Sequence, residues 1–521
     1  MFIDFNGAKI QTLLAIIAVL CFSVWIFLYS NAVWNLVPQA EGFWNRQRSQ
    51  FMYLARYKWP SGNALVANGM ESSGNARSIP VLLYHGEGVV SDMPTDRFLE
   101  HMQALKLDGW RTITMQQFED WEKKGTPLPD KSFLLTFDDS RKDTFYEADP
   151  ILEDLGFHSV MFVITGLSLP TDEKTSNFYL SKTELEYMQK SGRWELESHG
   201  DQDHQEYTVQ STTDLDRTAK AVSGHFLSNK FWVQAQNRFE TDEEFTNRIS
   251  QDLKISRKVL EDVTGSTVNS YAYPYNDFGH TTVNFKGSEP LIMKTVPKLY
   301  TYAFFQSSPS DGDRFNYSSP SAWMIRRIEP PARWSGQELI AELNRGRAKD
   351  LPYESKTFGL EWLQSWSTRI LNGTSMQLSA LVDSSGAATY LNGTGDWTDY
   401  VYRADVQTDD TETIQLMARN TDDQNYVTCV FTTNSVRLET HAPGDARQFI
   451  SEKQYPVQAG REMTVVMRVQ GNYAQCSVDG FSTDGTFDSN TLKRGGIGIE
   501  VWQKEIGGAH AVVKNISVSP L

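Results

Sequence analysis

The stretch Ser132-Phe133-Leu134-Leu135-Thr136-Phe137-Asp138-Asp139 decides how this chain folds. A short run of strand-forming residues stops at two adjacent carboxylates. An apolar run of this length, without helical spacing, reads as a strand buried on both faces, as in a parallel sheet. Similar runs flank it on both sides: Pro80–Tyr84, Arg111–Thr114, Ser159–Ile164, Trp194–Ser198, Ser270–Tyr273, Tyr300–Phe305 and Met324–Ile328. Helical patterns lie between several of them. Three of these open with capping boxes, at Ser181 with Glu184, Thr241 with Glu244 and Ser335 with Glu338. Strand–helix alternation over residues 79–350 predicts a parallel α/β sheet or barrel.

The residues that close these strands carry the chemistry. Pro80–Tyr84 ends at His85, Ser132–Phe137 at Asp138 and Asp139, and Trp194–Ser198 at His199, with His204 just beyond. Ser270–Tyr273 ends at Pro274 and Tyr275. Strand C-termini of parallel α/β folds converge on one face, where the active site lies. Two carboxylates and three imidazoles are therefore expected in one cleft. Two His and one carboxylate suit a divalent ion with an open coordination position. The neighbouring carboxylate is then free to take a proton from an activated water. The His199-x4-His204 spacing turns about 140° beyond one helical revolution, so a loop rather than a helix must present the pair.

Thr136-Phe137-Asp138-Asp139-Ser140 resembles the first motif of polysaccharide deacetylases of the NodB-homology type, carbohydrate esterase family 4. Glu197-Ser198-His199 through His204 resembles the second motif, in the form found in the poly-N-acetylglucosamine branch. Tyr271-Ala272-Tyr273-Pro274-Tyr275 resembles the third, and Val81-Leu82-Leu83-Tyr84-His85 the strand that opens that branch. The resemblance spans about Ile79 to Leu343 and implies a distorted (β/α) barrel. It implies Asp138 as general base, Asp139, His199 and His204 as ligands of a divalent metal, and His85 as general acid. The Tyr275 backbone N–H is implied as an oxyanion donor. Zn2+ is the expected ion, with Co2+, Ni2+ or Fe2+ as alternatives. The implied activity is N-deacetylation of an N-acetylhexosamine polymer. O-deacetylation of an exopolysaccharide and a non-catalytic, glycan-binding part in an export system are the alternatives. Two positions depart from the pattern. Ala272 stands where an Arg often orients the base, with Arg326 or Arg327 as candidate substitutes, and Ser140 stands in place of a Gly.

The rest of the chain sets the context. Its 521 residues exceed one hydrophobic core. The net charge of −16 argues against nucleic acid as a partner. Residues 10–40 carry no charge, and the apolar run Leu13–Tyr29 is long enough to span a bilayer. Residues 1–40 are therefore expected as a membrane anchor, followed by a juxtamembrane segment and linker over residues 41–78. Polymer chemistry beyond the inner membrane favours a periplasmic or extracellular barrel. Arg46, Arg48, Arg56 and Lys58 after the span argue the other way by charge bias, unless they meet anionic headgroups. Polysaccharide synthesis or export proteins are candidate partners. From residue 360 to 521, alternating strands such as Tyr400–Val406 and Met463–Val469 predict an all-β sandwich. It weakly resembles laminin-G or concanavalin-type jelly rolls, through Asp396-Trp397 and Gly495-Gly496-Ile497-Gly498-Ile499. Within it, Cys429 and Cys476 either pair or remain buried thiols.

Overall fold

The computed structural model describes residues 38–58, 74–86, 93–170, 176–210, 221–281, 283–308, 313–319, 322–408, 413–422, 425–441, 447–456, 462–488 and 492–521. The expected membrane-spanning run Leu13–Tyr29 and most of the Ser61–Ser78 linker lie outside them. No helix among the described residues is long and apolar enough to cross a membrane.

Seven strands lie side by side in chain order: β1 (Val81–Tyr84), β2 (Ser132–Phe137), β3 (Ser159–Val163), β4 (Trp194–Ser198), β5 (Ser270–Ala272), β6 (Tyr302–Gln306) and β7 (Met324–Arg327). Every neighbouring pair is parallel. The sheet then closes on itself. Leu83 N–H donates to Ile328 O at 2.9 Å, and Ile328 N–H donates to Val81 O at 2.8 Å. The result is the expected parallel barrel, and each strand falls on one of the sequence runs.

Strand alternation divides the side chains between two cores. Leu134, Val160, Phe162, Ala272, Phe304 and Ile325 pack together on the inner side. Phe133, Leu135, Phe137, Met161 and Val163 pack outward against the surrounding helices. All three expected capping boxes form, and a fourth joins Thr114 to Gln117. The helix Pro38–Tyr53 docks on this shell. Its Arg46 donates to Asp149 at 3.1 Å, and Arg56, just past its end, donates to Asp96 at 3.0 Å. These two basic residues thus pair with carboxylates of the barrel shell, Arg46 through donors to both Asp149 and Glu153 and Arg56 through one exposed contact.

The C-terminal region forms two antiparallel sheets around a separate core. One runs Trp362–Trp366, Gly386–Leu391, Gly496–Trp502, Thr413–Asp422, Asn425–Phe431, Ser435–His441, Gln448–Gln454 in spatial order. Cys429 from this sheet bonds to Cys476 from the other, joining positions 47 residues apart. A polar seam fixes the sandwich to the barrel. Arg77 donates to Asp396 at 2.8 Å, Arg326 to Thr421 O at 2.7 Å and Arg494 to Tyr317 O at 2.7 Å. The Asn392 turn is buried in the same seam, where Gly393 N–H donates to Asp313 at 3.0 Å.

Closing a loop of this length by a covalent bond limits the unfolded chain and stabilises by about 2–4 kcal/mol. Replacing Cys429 and Cys476 together by Ala should lower the unfolding midpoint of the sandwich in denaturant. An unchanged midpoint would show that the bridge is no staple.

Candidate active site

The strand alternation that fills the barrel also aims the polar residues above it. Leu134 and Thr136 alternate inward along β2, and Asp138 continues the same series one step beyond the strand. Asp138 is fully buried, and the Arg327 guanidinium donates to both its oxygens, at 2.6 and 2.7 Å. Arg327 stands at the end of β7, the closing strand. It supplies the charge that Ala272 lacks, as one of the two arginines considered from the sequence. Burial works against the Asp138 charge, but Arg327 and the His199 and His85 imidazoles together outweigh it and hold the carboxyl below its usual range.

Asp139 turns the other way because its backbone is left-handed, with φ of 71°. Ser140 follows at 49°, a conformation where Gly is the ordinary choice. Its hydroxyl accepts from Ile164 N at 3.3 Å and meets Ser168 Oγ at 2.7 Å, ties that anchor the turn in place of Gly freedom.

His199 follows β4 directly. Its Nδ1 lies 2.8 Å from Ala272 O, the geometry of an N–H donated to a carbonyl, which leaves Nε2 as a lone-pair donor. His204 arrives on the expected non-helical loop. That loop turns at Gly200, where φ is 79° and a Cβ would lie 2.5 Å from the Asp203 side chain. Asp252 braces it by accepting from Asp201 N at 3.0 Å and Gln202 N at 2.8 Å. Tyr271 OH donates to buried Asp203 at 2.6 Å. Burial, then the neighbouring Asp252, push the Asp203 carboxyl well above its usual range.

Asp139, His199 and His204 each offer a ligand atom, and these atoms all lie within 4.8 Å of one another. Asp139 Oδ1 is 3.1 Å from His204 Nε2 and 3.5 Å from His199 Nε2. Tetrahedral zinc bonds of about 2.0–2.1 Å separate ligand atoms by roughly 3.3 Å, so the spacing fits an ion. Asp139 Oδ1 is also buried without a well-formed hydrogen bond, an orphan that a cation would satisfy. Burial opposes its charge, and the two imidazoles overcome that and hold the carboxyl well below its usual range.

His85 stands across the cleft, with Nε2 3.8 Å from Asp138 Oδ2. Its Nδ1 is 2.8 Å from Glu329 Oε1, and Gln306 Nε2 donates to the other Glu329 oxygen at 2.5 Å. Burial works against the imidazolium, but Glu329 and then Asp138 raise its pKa above the ordinary value. The sequence reading missed Glu329. A signal was present, since it follows Ile328 at the end of the last barrel run.

Tyr275 has a φ of 55°, in a turn that Asn276 locks by exchanging hydrogen bonds with Gln306 at 2.7 and 2.9 Å. Its N–H has no acceptor among the described residues. Its ring is 41% exposed and lies between two imidazoles, 4.5 Å from His204 and stacked 4.3 Å from His225. His225, also missed, is held by Asp277 at 2.7 Å. All six residues singled out from the sequence thus meet at one end of the barrel.

Residues 125–288 match the polysaccharide deacetylase family, so the chain carries such a domain. The poly-β-1,6-N-acetyl-D-glucosamine N-deacetylase of Staphylococcus epidermidis is 25% identical over 232 residues, 44% of this chain and 70% of that one. Its namesake from Staphylococcus aureus MSSA476 is 32% identical over 107 residues, 20% of this chain and 35% of that one. Among solved structures, a de-N-acetylase from Aggregatibacter actinomycetemcomitans overlaps 51% of this chain and 99% of its own, at 19% identity and a TM-score of 0.41.

Removing one member of a buried ion pair strands the other, at a cost of about 3–5 kcal/mol. Arg327→Met should therefore destabilise the barrel by that amount in denaturant unfolding. Adding Asp138→Asn should recover part of the loss. A single-variant change under about 1 kcal/mol would mean that the pair is solvated rather than buried.

Proposed function

We propose that this polysaccharide deacetylase domain removes acetyl groups from the amino sugars of an N-acetylhexosamine polymer, with Asp139, His199 and His204 holding a divalent ion, Zn2+ first among the candidates. The observation that carries this reading is the three-donor cluster lying beside an ionised Asp138 and opposite His85. The names of the Staphylococcus relatives point to the same substrate class. An ion in that cluster supplies Lewis acidity to a water and to the acetyl carbonyl.

The protein groups divide the proton work. Asp138 is a weak base, because Arg327 and the neighbouring imidazoles hold its pKa down, and it would take the proton of a water placed beside the cluster. Arg327 also fixes both Asp138 oxygens, so the base needs no reorientation. The Tyr275 N–H, which has no acceptor among the described residues, would donate to the developing oxyanion. His85, kept protonated to higher pH by Glu329, gives its proton to the leaving amine.

Residues 1–40 would tether the enzyme to a membrane, with the barrel outside the cytoplasm. The Cys429–Cys476 bond supports an oxidising compartment.

Acetate release from poly-N-acetylglucosamine oligomers tests the reading. Chelation should abolish it, and added Zn2+ should restore it. Asp138→Asn and His85→Ala should each lower kcat by about 10²–10⁴. Release from O-acetylated polymers alone would overturn the amide assignment.

The pH profile gives a separate check. Glu329 raises the His85 pKa, so His85 stays an acid up to a higher pH. Glu329→Gln removes that support, and the alkaline limb of kcat/KM should move to lower pH. A limb that does not move would take the general-acid role away from His85.

A further inference from the structure

The sandwich sheet that opens with Trp362–Trp366 has two unlike faces. Ile414, Leu416, Val427, Leu438, Ile499 and Val501 point into the sandwich core. Their alternates point away from it. On that outer side Gln415 pairs in register with Glu500, and Thr428 with Glu439.

The outer face holds buried acceptors with no donor to meet them. Gln415 Nε2 donates to Glu500 Oε1 at 3.1 Å, which leaves Gln415 Oε1 buried and unpartnered. Thr428 Oγ1 is buried and unpartnered as well. Glu439 differs, since Arg447 lies 3.2 Å and Arg437 3.6 Å from its oxygens. Glu500 forms no ion pair among the described residues, and burial pushes its carboxyl up to about 7. A buried carbonyl and a buried hydroxyl left without partners need an explanation, and beside them Glu500, half-buried, has one hydrogen bond from Gln415 and room for more; a ligand that brings its own O–H or N–H groups meets all three.

Two indoles stand beside these acceptors. Trp366 and Trp502 are 37% and 38% exposed. Trp502 is two residues from Glu500 on the same face. Trp366 pairs with Ala388, which pairs with Glu500. Its ring lies over Gly386, where a Cβ would come within 2.5 Å of it. Two strand spacings, roughly 10 Å, separate Trp366 from Glu500 along the sheet, room for one six-membered sugar ring. An apolar aromatic surface next to fixed acceptors matches the two sides of a hexose, its C–H face and its hydroxyl edge. A polyanion would be repelled by Glu500.

We propose that this outer face binds a hexopyranose unit of a polysaccharide, with its ring face on Trp366 and Trp502 and its hydroxyl or amine hydrogens on Glu500 and Gln415. The site is separate from the barrel cleft, and it anchors the enzyme to polymer rather than taking part in the reaction.

The test is retention of the full chain in gels containing soluble poly-N-acetylglucosamine, before and after chemical deacetylation. Wild type should be retarded by at least one of the two polymers. Glu500→Gln keeps the shape of the side chain and removes its charge. That variant and Trp366→Ala should each weaken binding by about tenfold or more. Both should release acetate from a short acetylated oligomer at the wild-type rate. Should Trp366→Ala fail to fold, Glu500→Gln alone decides. Equal retardation of wild type and Glu500→Gln, or no retardation by either polymer, would overturn the proposal. Retention is read without turnover, so a wild type that binds polymer yet releases no acetate would support this site while sinking the reading of the barrel.

Discussion

The fold and the chemistry of this protein depend on one buried ion pair. Asp138 leaves β2 and Arg327 leaves β7, two strands separated along the barrel wall only by β1. Their two hydrogen bonds, at 2.6 and 2.7 Å, therefore cross the seam where the barrel closes. An open sheet would leave Arg327 on a free edge, and Asp138 would lose its charge to burial. Closure and an ionised Asp138 are thus a single condition. The same seam brings Glu329 to His85, so Asp138 and His85 both take their partners from the end of the last strand.

That arrangement bears on Ala272, which stands where the sequence resemblance leads one to expect a guanidinium. Ala272 is fully buried, and its carbonyl instead orients the His199 ring. The charge has moved across the barrel interior to β7. Coulomb attraction in a buried site depends on where the charges end up, and not on which strand delivers them.

The sequence revealed most of the barrel because its strands are buried on both sides and read as short apolar runs. It also brought Asp139, His199 and His204 to one end of the barrel, because strand C-termini converge whatever their separation in the chain. What escaped were residues whose meaning appears only after closure or insertion. Glu329 looks like a strand exit until β7 meets β1. His225 belongs to the hairpin Glu206–Gln210 with Ala221–His225, which carries no motif yet lays its imidazole on Tyr275. The choice between Arg326 and Arg327 could not be made without knowing strand facing. Neighbours in a strand point to opposite sides, so one reaches Asp138 and the other reaches Thr421 of the sandwich. The Cys429–Cys476 pairing was open for a related reason, since sequence spacing says nothing about which strands of opposing sheets lie face to face.

The polar seam between barrel and sandwich has a mechanical consequence. Arg77, Arg326 and Arg494 bind across it at separate points, two of them through backbone carbonyls that cannot swing away. Three anchors along one seam resist sliding and opening of the sandwich against the barrel. The two halves therefore move as one body instead of ranging on a leash. Any long filament gripped by one half is presented to the other at a set reach and angle, so the spacing of modified units along that filament would carry the imprint of the protein's own dimensions.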